Sequence, residues 1–346
     1  MLLPLFLLWS WHWVKARHSK LAMAAAIRAE RIDVDLPKWD QSTFLGRLKH
    51  FFSITDPRTA LCSETDLDNA SKLLSQYRIG TEPPGTTEEQ IRYAQKLYLS
   101  AFHPDTGDKM NVVGRMSFQV PGGMLITGCL LQFYKTVPQV VFWQWVNQSF
   151  NAFVNYTNRN AKSDVTNKQI GVAYASATTT ATIVSVALNS LTRAAPPLIA
   201  RFVPFAAVAS ANCVNIPLMR QRELTNGIAV YDENGEFIGH SKRAAVKGIT
   251  QVVTSRITMA APGMLIIPII MEKLEKYRFM QRIRILHAPI QILMCGVSLV
   301  FMVPIGCAMF PQKCSLSVDH LEPEMRLIFE EKTGHKHGKV FFNKGL

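Results

Sequence analysis

Charged residues are strongly segregated along this chain of 346 residues. One uncharged stretch, 169–192, would be about 36 Å long as a helix at ~1.5 Å per residue, which exceeds the ~30 Å hydrocarbon core of a bilayer. Several such windows separated by short basic loops predict an all-α, multi-pass transmembrane helical bundle rather than a soluble domain with one buried helix. The uncharged stretches are 116–134, 136–158, 169–192, 202–219 and 285–312.

The number of crossings depends on how the first of these windows is divided. A Pro-Gly-Gly segment at 121–123 interrupts it, so we expect the first crossing to begin after that segment and to run past Lys135. A separate, sixth crossing around 137–158 is left open. The loops do not decide the orientation of the chain in the membrane, because those expected on one side of the bilayer carry nearly as many Lys and Arg as those on the other. We expect about five crossings, at 124–146, 169–192, 201–219, 249–271 and 288–310.

The polar residues before the membrane part predict a helical soluble region at 33–115. Ser63 followed by Asp66 resembles a capping box, and Gly80 marks the end of the helix that begins there. A second arrangement of the same kind, from Thr87, opens another amphipathic helix. We expect its apolar face to rest on the membrane-embedded part.

The remaining segments complete the predicted domain organisation. Residues 1–32 begin apolar and then turn basic, the reverse of a secretory signal, and are interpreted as an N-terminal extension. The bundle spans 116–312 and includes a polar loop at 220–247, in which alternating residues around a turn at 232–235 predict a small β-hairpin. Residues 313–346 are expected to form a C-terminal tail.

Composition agrees with a membrane protein, since the chain is 48% hydrophobic, only 18% charged, and carries a formal net charge of +13. Its six cysteines include no Cys-x-x-Cys pair, so neither a disulfide framework nor a metal site is expected. Phosphate-cradling glycine loops and nucleophile elbows are missing, so we expect no catalytic residue, no cofactor and no nucleic-acid partner. The expected partners are membrane lipid and a small-molecule substrate.

The most informative polar pattern is an asparagine repeat. Asn147, Asn151 and Asn155 recur every four positions and would form one stripe on a helix. An unpaired amide is costly in hydrocarbon, so the stripe should face other helices or a wet cavity. Two interpretations stay open, namely hydrogen bonding between helices and a lining for a small polar solute.

Two further features place polar groups in the membrane part. Asn212 and Asn215 precede Pro217, and a broken helix with polar side chains is typical of transporter substrate sites, whereas a packing kink is the alternative. Arg256 either holds a substrate carboxylate or extends to the membrane surface.

A His-x-Asp pair, His103 and Asp105, follows the second soluble helix. Pro104 and Gly107 suit a tight turn there. The pair is therefore interpreted first as part of a turn and second as a functional contact.

Several segments resemble the sideroflexin family. Near the N-terminus these are WDQSTFLGR at 39–47, ITDPR at 54–58 and SAFHPDTG at 100–107. In the membrane part they are FWQWVNQSFNAFVNYTNRN at 142–160 and RFVPFAAVASANCVNIPLMRQREL at 201–224, followed by FPQK at 310–313 and a closing FNKGL. The resemblance extends from about residue 33 to the end of the chain.

The resemblance implies a mitochondrial inner-membrane protein with about five crossings and no cleaved presequence. Family members move serine into the matrix for one-carbon metabolism, and one branch is also tied to iron homeostasis and haem synthesis. The leading hypothesis is therefore a serine transporter. The alternative is a non-transporting scaffold that regulates iron and haem metabolism through 33–115 or the 220–247 loop. Polarity alone selects the candidate lining residues, which are Asn147, Asn151, Asn155, Asn212, Asn215 and Arg256.

Overall fold

The computed structural model describes residues 31–104, 106–158, 166–191, 199 and 202–345. In this part of the chain, an N-terminal group of helices is followed by a bundle of long apolar helices and by a C-terminal unit containing a four-stranded sheet. Most of the expected N-terminal extension, 1–30, lies outside the described residues, as does Asp105.

The N-terminal region confirms the expected capping signals. The Ser63 side chain accepts a hydrogen bond from the backbone N–H of Asp66, whose carboxylate accepts one from the N–H of Ser63. Gly80 ends this helix at a positive φ of 75°, where a side chain would be strained. Thr87 and Gln90 form the second capping box. The helices are α1 (Phe44–Ile54), α2 (Glu64–Ile79) and α3 (Glu88–Ala101).

The apolar face of α3 is used inside this region. Ile91 and Leu97 of α3 pack with Leu67 and Leu74 of α2 in one buried cluster. The expectation that this face rests on the membrane-embedded part is therefore wrong. The physical reason is that Leu67 and Leu74 lie seven positions apart, and therefore on one side of α2, where they cover the apolar face of α3.

The bundle confirms the predicted multi-pass helical architecture. Three described helices are long and apolar enough to cross a membrane, at Lys168–Leu188, Lys242–Glu275 and Arg284–Ala308, and Val203–Met219 is a shorter apolar helix. These four coincide with four of the five expected crossings. The elements of this part are α4 (Gln119–Gln132), α5 (Val137–Thr157), α6 (Asn167–Leu191), α7 (Val203–Met219), α8 (Gln221–Asn226), α9 (Lys242–Glu275), α10 (Arg278–Arg282) and α11 (His287–Ala308).

The expected first crossing at 124–146 is wrong, because α4 ends at Gln132 and a separate helix, α5, follows. Pro138 starts the new helix, where its missing N–H needs no intrahelical partner. Thr136 and Gln139 form a capping box at the same place. The separate segment around 137–158, which the sequence left open, is therefore present as α5.

Small residues bring the bundle helices into close contact. A Cβ atom on Gly128 of α4 would lie 2.7 Å from the Cα of Ile292 in α11. Likewise, a Cβ on Gly306 of α11 would lie 2.7 Å from the side chain of Met259 in α9. Glycine at such positions lets helix backbones approach closely, as is typical of helices packed in a membrane.

The C-terminal residues form a folded unit together with the 220–247 loop. The strands are β1 (Ile228–Tyr231), β2 (Phe237–Ser241), β3 (Lys313–Ser317) and β4 (Lys339–Asn343), in the antiparallel order β2-β1-β4-β3, with α12 (Pro323–Thr333) packed on them. The predicted hairpin is confirmed as β1 and β2. The C-terminal tail expected at 313–346 is instead two strands and a helix, because Phe342 and Phe329 are buried against Val230 of the hairpin.

Both polar regions lie at the same end of the bundle. The side-chain amide of Asn158, just after α5, donates to the carbonyl of Gly114 in the N-terminal region at 2.9 Å. Arg220, just after α7, donates to the carbonyl of Lys344 in the C-terminal unit at 2.6 Å. Lys344 in turn donates to the carbonyl of Phe310, just after α11, at 3.0 Å.

Candidate functional site

Amide side chains form a continuous stripe along the inner face of α5. The structure places the predicted Asn147, Asn151 and Asn155 on one helix and extends their row with Gln144 and Gln148. The five positions follow the i, i+3, i+4, i+7 and i+11 spacing of a single helix face. All of these side chains are buried or half-buried.

The opposite face of α5 is apolar and exposed. Trp145 is 51% exposed, and Phe142 and Phe153 are similarly open. In a membrane these aromatic rings suit the lipid side of the helix. The amide stripe therefore faces the bundle interior, which is the arrangement that the polarity argument required.

Hydrogen bonds within the stripe leave several polar atoms unused. Asn151 donates through Nδ2 to the backbone carbonyl of Asn147 at 3.0 Å. The Nδ2 of Asn147 and the Oε1 of Gln144 are buried, and neither has a hydrogen-bond partner among the described residues. A buried amide atom without a partner costs about 1–3 kcal/mol. The described residues therefore satisfy the stripe only in part.

A guanidinium group lies at one end of the stripe. Arg256 of α9 donates through Nη2 to the Oδ1 of Asn155 at 3.4 Å. The neighbouring Ser255 is buried, and its hydroxyl has no hydrogen-bond partner within the part of the chain that the structure describes. The hydrogen bond to Asn155 places the Arg256 side chain against α5 in the interior of the bundle.

A buried network at the other end of the stripe was missed by the sequence analysis. Gln144 donates through Nε2 to the hydroxyl of Tyr134 at 2.6 Å, and Tyr134 donates to the hydroxyl of Ser185 in α6. Ser185 donates onward to the carbonyl of Ala181 at 2.5 Å. The helical spacing from Asn147 would have identified Gln144, whereas Tyr134 and Ser185 are brought there only by the tertiary fold.

The second predicted cluster lies on α7. Asn215 is buried, whereas Asn212 is half-buried. Ile216 of α7 packs with Val252 of α9, and this contact places the cluster beside the helix that carries Arg256. Within the described residues, no hydrogen bond joins either asparagine to the stripe on α5. The structure thus brings Arg256 to the stripe directly and places the α7 asparagines only on a neighbouring helix.

The sequence left a broken helix and a packing kink open as alternatives for Pro217. Pro217 lies inside the helix, which continues to Met219. Pro217 lacks the N–H that would bond the carbonyl of Cys213, four residues earlier, and the helix still continues for two residues beyond it.

His103 belongs to a turn in the structure. Its backbone N–H donates to the carbonyl of Asp108 at 2.8 Å, and its Nδ1 accepts from the N–H of Thr106 at 3.3 Å. Gly107 adopts a φ of 72°, which a tight turn of this kind requires. These contacts favour the turn interpretation. Its expected partner Asp105 is not among the described residues.

No group of three or more His, Cys, Asp or Glu side chains suitable for a metal ion is found in the ranges that the structure describes. What the site offers chemically is amide donors and acceptors, hydroxyl groups and one guanidinium.

Comparisons with known proteins agree over nearly the whole chain. A family model described as "Sideroflexins" matches residues 33–346. Sideroflexin-2 of Bos taurus is 63% identical over 314 residues, which cover 91% of this chain and 98% of that protein. Sideroflexin-2 of Homo sapiens is 61% identical with the same coverage, and Sideroflexin-1 of Sus scrofa is 56% identical over 315 residues, again 91% and 98% of the two chains. No solved structure matches significantly.

Proposed function

Because the chain belongs to the sideroflexin family, we propose that it transports serine, and other small neutral amino acids, across the mitochondrial inner membrane. The sequence resemblance supplies the substrate class and the compartment. Transport of serine into the matrix would support one-carbon metabolism.

The observation that carries the proposal is the partly satisfied amide stripe on α5, which ends at Arg256. Serine is a zwitterion with a hydroxyl group. Its carboxylate suits a guanidinium, its ammonium group suits amide and hydroxyl oxygens, and its hydroxyl can both donate and accept. The amides of the stripe on α5, together with Arg256 and Ser255 on α9, offer these partners at one place in the bundle interior.

Arg256 is the natural partner for the substrate carboxylate. Among the described residues it forms no ion pair with an acidic side chain, and its one hydrogen bond to Asn155 is long. A cation held in a low-dielectric bundle without a counter-ion attracts an anionic group strongly. An incoming carboxylate would complete its coordination.

The unpartnered amide atoms support the same role. A purely structural stripe would pair its donors and acceptors between helices. The Nδ2 of Asn147 and the Oε1 of Gln144, which have no hydrogen-bond partner among the described residues, instead leave hydrogen-bonding capacity in the interior. We assign this capacity to substrate or to water that moves with it.

The competing function is a scaffold that regulates iron and haem metabolism without moving a solute. It would act through the N-terminal helices or the C-terminal unit, which lie together at one end of the bundle. In that case the amide stripe would have no substrate, and its substitution would leave the regulatory effect intact.

Uptake of labelled serine by liposomes containing the purified chain tests the proposal. We expect uptake above empty vesicles, and at least a tenfold loss with Asn151→Leu. Asn69→Leu is the matched control, because Asn69 is exposed on α2 and should transport as wild type. Uptake equal to that of empty vesicles would favour the scaffold, provided that the protein is folded by circular dichroism.

A further inference from the structure

The segment that joins α9 to α11 has an unusual surface. Residues 276–286 connect two membrane-type helices at the end of the bundle opposite to the N- and C-terminal units. Tyr277 is 66% exposed, Phe279 is 69% exposed and Ile285 is 86% exposed. Large apolar side chains this open mark a surface that contacts something other than water.

The same segment is strongly basic. Residues 272–287 contain five Lys or Arg and two Glu. Glu272 lies 3.5 Å from Lys276, and Glu275 lies 3.8 Å from His287. In the part of the chain that the structure describes, the side chains of Arg278, Arg282 and Arg284 make neither a hydrogen bond nor an ion pair. Three exposed guanidinium groups thus remain available.

The segment is held in a defined shape by hydrogen bonds of its own. Met280 is buried, and its carbonyl accepts from the N–H of Ile283 at 3.2 Å. The ring Nε2 of His287 lies 2.9 Å from the same carbonyl. The N–H of Leu286 donates to Ile283 at 2.8 Å. With its inner side fixed in this way, the segment presents its aromatic and basic side chains outward together.

From this juxtaposition we infer that the α9–α11 turn is a binding site for anionic phospholipid. Arg278 and Arg282, four positions apart, lie on one face of α10, and Arg284 follows. Guanidinium groups bind phosphate oxygens in a bidentate manner, and exposed aromatic and aliphatic side chains next to them suit the boundary between headgroups and acyl chains. Charge and apolar exposure therefore fit the two parts of one lipid molecule.

A free phosphate would use only half of this surface. Inorganic phosphate provides the anion but no apolar chain to cover Phe279 and Ile285. The lipid is therefore the ligand to which the surface is matched, and the site is independent of the amide stripe.

Native mass spectrometry of the full chain in detergent, with added phosphatidylglycerol or phosphatidylcholine, tests the inference. We expect phosphatidylglycerol to bind to the wild type. The triple variant Arg278→Gln, Arg282→Gln and Arg284→Gln should bind it more weakly, with the affinity falling about fivefold for each arginine replaced. Inorganic phosphate in millimolar excess should not displace the lipid. Phosphatidylcholine should bind more weakly and should be insensitive to the substitutions.

The matched control removes three charges elsewhere, with Lys49→Gln, Lys72→Gln and Lys242→Gln, all exposed positions. It should bind phosphatidylglycerol as wild type. Equal loss in both triple variants, or no loss in the arginine variant, would overturn the site. Because serine uptake is measured separately, failure here leaves the transport proposal untouched.

Discussion

Arg47 and Ala308, 261 positions apart in the chain, are joined by a hydrogen bond of 2.9 Å from the arginine Nε to the alanine carbonyl. Ala308 is the last residue of α11, where backbone carbonyls have no partner within the helix and a positive charge is favourable. Arg47 is itself buried, and it also donates to the carbonyls of Gln41 and Ser42 at 3.0 and 2.8 Å. One guanidinium thus holds the N-terminal region against the bundle.

Replacing this guanidinium should loosen the N-terminal region. We expect Arg47→Met to lower the free energy of unfolding by about 3 kcal/mol, because several hydrogen bonds from a charged group are lost and carbonyls are left unpaired. Arg47→Lys keeps the charge but not the forked geometry of the guanidinium. Its free energy of unfolding should therefore lie between those of the wild type and of Arg47→Met. Thermal unfolding in detergent measures the difference. A melting temperature of Arg47→Met equal to that of wild type would contradict the assignment.

Close packing of α4 on α11 should make Gly128 intolerant of a side chain. A Cβ there would lie 2.5 Å from the Cγ1 of Ile292 and 2.7 Å from its Cα. We expect Gly128→Ala to destabilise the protein by about 1–3 kcal/mol, because the backbone cannot move away cheaply.

The control is Gly171→Ala in α6, where a Cβ would have no atom of the described residues within 4 Å. That substitution should be neutral, or stabilising by up to about 1 kcal/mol through helix propensity. Thermal unfolding of both variants compares them, and equal effects would show that α4 and α11 are not in contact.

Acid should weaken the N-terminal region through Asp56. Hydrogen bonds from Arg58 hold the pKa of Asp56 well below its ordinary value of 3.8, and Lys96 at 2.6 Å contributes in the same direction. The folded-state pKa is therefore lower than the unfolded one. The carboxylate stabilises the fold above pH 3.8, and this contribution is lost as the pH falls below that value.

Asp56→Asn should therefore flatten the decline in melting temperature across that acidic range, while lowering the melting temperature at neutral pH. Glu331→Gln, at an exposed position of α12, should leave the pH profile unchanged. Identical profiles for Asp56→Asn and wild type would remove Asp56 from this role.

Local signals in the sequence predicted local structure well. The capping box at Ser63, the end at Gly80 and the hairpin at 228–241 are each written in a few neighbouring residues, and each is present. The orientation of the asparagine repeat followed from solvation alone, since amides avoid lipid. A helix beginning near Thr136 was left open as a sixth crossing, although Pro138 and the capping box were available as signals that decide for it.

What the sequence did not reveal depends on distant pairings. Strand β4 reaches β1 through the pairing of Tyr231 with Phe341, and strands of five residues give too weak a pattern to predict such a sheet. The contacts of Tyr134 with Gln144 and Ser185 likewise exist only once three segments of the bundle meet. Such contacts are set by packing rather than by periodicity.

Arg256 should govern the affinity for serine. If it binds the carboxylate, Arg256→Gln should raise the KM for uptake about 10- to 100-fold, since a charge-assisted hydrogen bond contributes about 1.5–3 kcal/mol. Arg256→Lys keeps the charge and should recover part of this loss. Uptake measured over a range of serine concentrations separates KM from maximal rate. An unchanged KM in a folded Arg256→Gln variant would exclude this role.

The central claim is that the inner face of α5 is a wet, substrate-accessible surface, and cysteine accessibility tests it most directly. A cysteine at Asn151 is compared with one at Trp145, on the exposed aromatic face, by reacting each protein in liposomes with a small, charged methanethiosulfonate reagent and quantifying the modified peptide. We expect Asn151→Cys to react, serine to slow that reaction, and Trp145→Cys to stay unmodified in lipid. An unreactive Asn151→Cys, or a reaction that serine does not slow, would contradict the account.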